Sequence, residues 1–140
     1  MVEPPTNRIQ RFEDLPVWKL SRQLTAGIYK ITKVGDFNRD FALRDQIRKA
    51  SISIVSNIAE GFERDGDREF LQLLSVAKGS CGEVRAQLSL ALDQQYISNS
   101  EFKELATEAS EISRQLSGLM RYLRQSQLSG RKYRPVYPEH

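Results

Sequence analysis

The run SNSEFKELATEASEISRQLSGLMRYL, Ser98 to Leu123, carries the two signals that decide the fold. Ser98 and Glu101 stand at the spacing of a capping box, in which each side chain satisfies the other residue's backbone amide at a helix start. Phe102, Leu105, Ala109, Ile112, Leu116, Leu119 and Leu123 then recur alternately three and four apart, the seam of a helix that packs in a bundle. This is a long amphipathic helix, and what precedes it reads the same way.

Phe70, Leu74, Ala77, Cys81, Val84, Leu88 and Ala91 form one stripe of a third helix, with Asp67 as its expected cap. A second helix is expected from about Arg39 to Arg64, opened by Asn38 and closed by the turn at Gly66. The first carries Val17, Leu20, Leu24, Ile28 and Ile31, with Asp14 as expected cap, Pro16 in the first turn and Gly35 as stop. No stretch alternates like a strand. Short connections force neighbours antiparallel, so the expected fold is all-α: an up-down-up-down antiparallel four-helix bundle. It should occupy residues 13–126, between an N-terminal extension (1–12) and a basic C-terminal tail (127–140), both expected to be flexible.

The bulk properties agree. A chain of 140 residues with 39% hydrophobic and 28% charged content suits one soluble globular domain. No apolar run approaches the roughly 18 residues of a membrane span, and no signal-peptide core opens the sequence. With Cys81 alone, no internal disulfide can form, and a cytoplasmic location is the expectation. The net charge of +3 conceals a split: +4 over residues 1–49, −5 over 50–120 and +4 over the last twenty. A chain basic at both ends suits a polyanion, although ordinary solvated faces produce the same tally.

Enzyme chemistry finds no footing. The single histidine, His140, is the last residue, so neither a Ser-His-Asp nor a Cys-His arrangement can be built around the core. Glu-x-x-His pairs for a di-iron bundle are absent, and neither Gly79 nor Gly82 belongs to a phosphate loop. Cys81 falls on an apolar stripe, where packing is its simpler role. No catalytic residue, metal or cofactor is expected. The cations suggest nucleic acid, RNA or DNA, instead: Lys19 and Arg22 on helix one, Arg44, Arg48 and Lys49 on helix two, and Arg121, Arg124, Arg131, Lys132 and Arg134 at the end, with Tyr122 and Tyr133 interleaved. Arg48 is odd, since it falls within an apolar arc, where an acid on a neighbouring helix is the expected partner. Trp18 reads more simply as a core or interface residue.

Helix propensity does not explain SNIAEG, Ser56 to Gly61, within helix two. Ile47, Ile52, Ile54, Val55, Ile58, Ala59 and Phe62 cover an arc wider than one bundle core requires. A second file, Gln46, Ala50, Ser53, Asn57, Glu60 and Gly61, lies opposite. Helix three has a small file of its own, Ser75, Gly79, Gly82, Ala86 and Ser89, and helix four another, Ala106, Ser110, Ser113 and Ser117. Such files read either as close helix contacts or as solvated faces; the glycines, costly in a helix, favour contact. Asn57 then becomes a register-setting polar residue. Trp18, Ser53, Asn57, Glu60, Gly61, Gly79 and Gly82 are the structural or interface candidates.

The segments FEDLPVWKLS, LRDQIRKASISIVSNIAEGFER, EFLQLLSVAKGSCGEV and LSGLMRYLR together resemble the 23S rRNA intervening-sequence (S23-type) four-helix-bundle proteins, over roughly residues 12–125. The resemblance implies a ring-like homopentamer and an origin in small reading frames inside rRNA-gene insertions. A distantly similar bundle is the accessory variability protein of diversity-generating retroelements, which binds nucleic acid and a reverse transcriptase. The expectation is thus a non-enzymatic, homo-oligomeric nucleic-acid-binding accessory protein. The alternative is a scaffold ring that docks another protein and has no nucleic-acid role. The tail beyond about Gln125 lies outside the resemblance.

Overall fold

The computed structural model describes residues 9–128, with side chains through residue 126. A single 3-10 turn, Phe12–Asp14, leads into α1 (Pro16–Thr32). A second 3-10 turn, Gly35–Arg39, precedes α2 (Phe41–Glu63), and α3 (Asp67–Asp93) and α4 (Asn99–Leu128) follow. The helices close a ring in which α2 packs on α3, α3 on α4, and α1 on both α2 and α4. This is the expected all-α four-helix bundle.

Three of the four expected caps differ. The helix α1 starts with Pro16 at its first position behind Leu15, because Asp14 is already engaged in the 3-10 turn. Asp40, not Asn38, caps α2 by accepting from the Leu43 amide at 3.1 Å. Asn38 lies in the preceding turn, where its carbonyl accepts from Arg44 Nη1 at 2.9 Å. Gly66 caps α3 with φ 105°, a conformation that favours glycine, and Asp67 is the buried first residue of the helix. Only α4 starts as read: Ser98 N donates to Glu101 Oε1 at 2.9 Å and Glu101 N to Ser98 Oγ at 3.0 Å.

The core follows the stripes. Leu24, Ile28, Ile47, Ile54, Ile58, Phe70, Leu74, Leu88, Ile112 and Leu116 are fully buried, as is Cys81. Burying one such side chain contributes about 1.5–3 kcal/mol. Burial also pushes the Cys81 thiol up to about 12, far from thiolate chemistry.

The small file of α2 is the seam with α3. Ala50 and Gly61 are buried, and a Cβ at Gly61 would stand 2.8 Å from Phe70 Cδ1. Ser53 and Ser80 hydroxyls meet at 2.9 Å, and Asn57 Nδ2 donates to Ser53 O and Oγ at 2.8 and 3.0 Å. Within SNIAEG, Gly61 therefore exists for close helix approach, and Asn57 braces the hydroxyl pair that crosses the seam. Glu60 is exposed and pairs with Arg64, which also donates to Glu69 of α3 at 2.9 Å.

The α3 glycines behave otherwise. A Cβ at Gly79 or Gly82 would meet nothing within 4 Å, so neither abuts another helix of this chain. The second close approach lies at Gly27 of α1, where a Cβ would stand 2.8 Å from Leu105 Cδ2.

Candidate nucleic-acid interface

Two of the cations expected on α1 and α2, Arg44 and Arg48, are engaged within the chain. Arg44 pairs with Asp45 at 2.9 Å and lies over the Phe41 ring, 4.7 Å from its centroid. Arg48 finds no acid among the described residues. Its Nε donates to Thr32 Oγ1 at 2.8 Å and its guanidinium covers the Tyr29 ring at 4.7 Å, because both groups line α1 where α2 crosses it. The Thr32 hydroxyl itself donates to Ile28 O at 2.8 Å, so the polar chain through Arg48 ends on backbone. Arg48 is thus a strut between helices. Arg22 lies 5.8 Å from the centroid of Trp18, whose ring packs edge-on against Phe12 at 5.2 Å. Trp18 is half-buried, and its Nε1 is buried without an acceptor among the described residues.

Lys19 and Lys49 are exposed on separate helices. Lys49 lines a small groove of about 280 Å³ between α2 and α3, where Glu83 supplies an opposite charge. Arg121 and Arg124 are exposed near the end of α4; Arg131, Lys132 and Arg134 lie outside the described residues. The expected cations therefore form no single patch among the described residues.

A different surface does collect positive charge. Between α3 and α4 runs an open groove of about 620 Å³. Gly82, Ala86, Phe102 and Ala106 give it an apolar floor, Ser89, Thr107 and Ser110 supply hydroxyls, and Arg85 and Lys103 supply the only charges. Neither cation has an ion-pair partner among the described residues. Sequence reading had placed Gly82, Ala86, Ser89, Ala106 and Ser110 in small files, but missed Arg85 and Lys103. Their convergence depends on the register of α3 against α4, which no local pattern encodes.

Acids keep to another side of α4. Glu101, Glu104, Glu108 and Glu111 recur three or four apart, on an arc that excludes Lys103. Burial, and then the nearby Glu104 charge, push the Glu108 carboxyl up. Glu111 binds Arg114 and accepts from Gln115 Nε2 at 2.9 Å. One helix thus separates its charges, leaving the α3-facing side positive.

Four packed helices with a cationic groove place the chain in the class of small four-helix-bundle proteins. Its family can be stated more narrowly. Residues 13–118 match the family of the 23S rRNA-intervening sequence protein, and the chain belongs to that family. A crystal structure of a protein of unknown function from the S23 ribosomal protein family, from Bacteroides thetaiotaomicron, has the same fold. It superposes with a TM-score of 0.70 at 21% identity, covering 75% of this chain and 95% of the other. No functionally curated protein matches. Among the described residues, no helix is long and apolar enough to cross a membrane.

Proposed function

We propose that the protein is a non-enzymatic, cytoplasmic, homo-oligomeric bundle that binds nucleic acid as an accessory to a larger assembly. The observation that carries the reading is the α3–α4 groove, where Arg85 and Lys103 face solvent with no carboxylate among its lining residues. Unneutralised cations in a concave site favour phosphates, whose counterions are released on binding. The family name, which refers to a segment of 23S rRNA, makes RNA the first ligand to test. A non-enzymatic role is supported by the inert Cys81 thiol, at about 12, and by the absence of a histidine from the described residues.

The oligomer rests on apolar surface left over once the bundle has closed. Phe41, Ile52, Val76 and Leu90 remain exposed on α2 and α3, and Ile52 belongs to the arc that exceeds one core. The family resemblance supports a pentamer, in which five copies would multiply each weak phosphate contact without any new contact type. The same apolar surface favours the second reading, a scaffold that docks a protein. A gel-shift of the full chain against RNA and DNA of unrelated sequence separates the two. Comparable retardation of all of them, relieved by added salt, is expected; no retardation at low salt leaves the scaffold.

A further inference from the structure

We infer that the α3–α4 groove is the nucleic-acid site and that it seats one single strand, laid along the two helices. The inference rests on the nucleic-acid reading above and adds the place, the ligand's form and the residues.

Further cations stand beyond the groove itself, on the same sides of its two helices. Lys78 precedes Arg85 by two helical turns and therefore shares its side of α3. Arg121 follows Lys103 by five full turns, about 27 Å, and returns to the same side of α4. Because α3 and α4 run antiparallel, the order along this face of the two helices is Lys103, Arg85, Lys78, Arg121. All four are positive, and none has an ion-pair partner among the described residues. Arg114 falls on the same side but is held by Glu111, with Arg114 Nε donating at 3.0 Å.

One cation on each bank of the groove, with further cations on the same two helix sides beyond it, suits a chain of phosphates better than an isolated anion. The channel's width selects the strand. Packed helices have axes about 8–10 Å apart, so the trough between them admits one strand and not a duplex. Its floor suits bases: Gly82 leaves open space where a side chain would stand, Ala86 and Ala106 keep it free of long side chains, and the half-buried Phe102 ring offers an apolar surface. Phosphate pairing with base contact of this kind tolerates any sequence.

Fluorescence anisotropy of the full chain tests this, with labelled oligothymidylate as single strand and its oligodeoxyadenylate duplex as competitor. Three variants are compared with wild type: Lys78→Gln/Arg85→Gln/Lys103→Gln, which removes charge; Gly82→Leu, which fills the floor without touching charge; and Lys19→Gln/Arg22→Gln on α1. Melting curves verify that each is folded, and all the altered positions are exposed. The groove triple variant should bind at least tenfold more weakly, and its log-log salt slope should be shallower by about 2, or roughly 0.7 per lost phosphate contact. Gly82→Leu should weaken binding several-fold at an unchanged slope, and the α1 variant should stay within twofold of wild type. The groove assignment is overturned if wild type binds and the triple variant binds equally well, if the α1 variant loses more, or if duplex outcompetes single strand. An intact wild-type protein that binds neither form at low salt overturns the nucleic-acid reading itself, and the groove with it.

Discussion

The Tyr96 hydroxyl donates to Asp40 Oδ2 at 2.9 Å, across 56 residues of chain. The other carboxylate oxygen of Asp40 accepts from the Leu43 amide and so caps α2. The Tyr96 ring stacks on the buried Phe37 with centroids 5.1 Å apart. One carboxylate thus joins the α1–α2 connection to the α3–α4 connection at the same end of the bundle.

This clasp predicts a pH window for stability. The Asp40 carboxyl is held below its ordinary range, first by the Leu43 amide and then by the Tyr96 hydroxyl. Its contribution is complete above the unfolded carboxyl's pKa of about 4 and is lost as pH falls through the lowered folded value. The Tyr96 phenol is pushed up, first by its hydrogen bond to Asp40 and then by burial. That contribution is complete below about pH 10 and is lost as pH rises through the raised folded value. Tyr96→Phe should melt below wild type by a constant margin between about pH 5 and pH 9, with the margin shrinking on either side. Melting curves across pH check this; a margin that is independent of pH throughout contradicts it.

Gly61→Ala should destabilise the bundle by about 1–3 kcal/mol, because the added methyl meets the Phe70 ring at 2.8 Å and Leu73 Cβ at 3.2 Å. Gly79→Ala should instead stabilise the chain by about 0.5–1 kcal/mol, since its Cβ enters open space on a helix. Denaturant titration of the two variants should give opposite signs.

Gln95 follows α3 in a left-handed conformation, φ 62°, where the Tyr96 amide donates back to Ala91 O at 2.9 Å. Glycine is the usual residue in that position. Gln95→Gly should raise stability by up to about 1 kcal/mol, the left-handed penalty less glycine's extra chain entropy. A lowered melting temperature would mean that the glutamine side chain contributes more than its backbone costs.

Cys81 should resist alkylation. Its thiol is fully buried and pushed up to about 12, so iodoacetamide at pH 8 should label it only at the rate of unfolding. Prompt labelling of the folded protein would place the thiol at the surface.

What was legible in the sequence was local or periodic. The Ser98–Glu101 box and the α4 seam need only one helix to be read, and both stand as expected. Pairings between helices were less accessible. The wheel showed correctly that Arg48 points inward at an edge of the core. That its partners are the Thr32 hydroxyl and the Tyr29 ring depends on how α2 crosses α1. The glycines teach the same lesson: propensity marked Gly61, Gly79 and Gly82 as costly alike, but only the packing places Gly61 against Phe70 and leaves the other two open. Gly27 attracted no notice because its helix carries no small file. The groove cations escaped for a related reason, since Arg85 and Lys103 belong to different helices and meet only through register.

If the protein binds nucleic acid through phosphates, as proposed, the salt dependence of the full chain's affinity for single-stranded RNA is the decisive measurement. The account predicts a linear fall of log affinity with log salt, at roughly −0.7 per phosphate neutralised, with a total slope of at least about −3. Removing residues 126–140, and with them Arg131, Lys132 and Arg134, should make the slope shallower without abolishing it. An affinity indifferent to salt, or no binding at low salt by the intact, folded protein, would overturn the electrostatic reading.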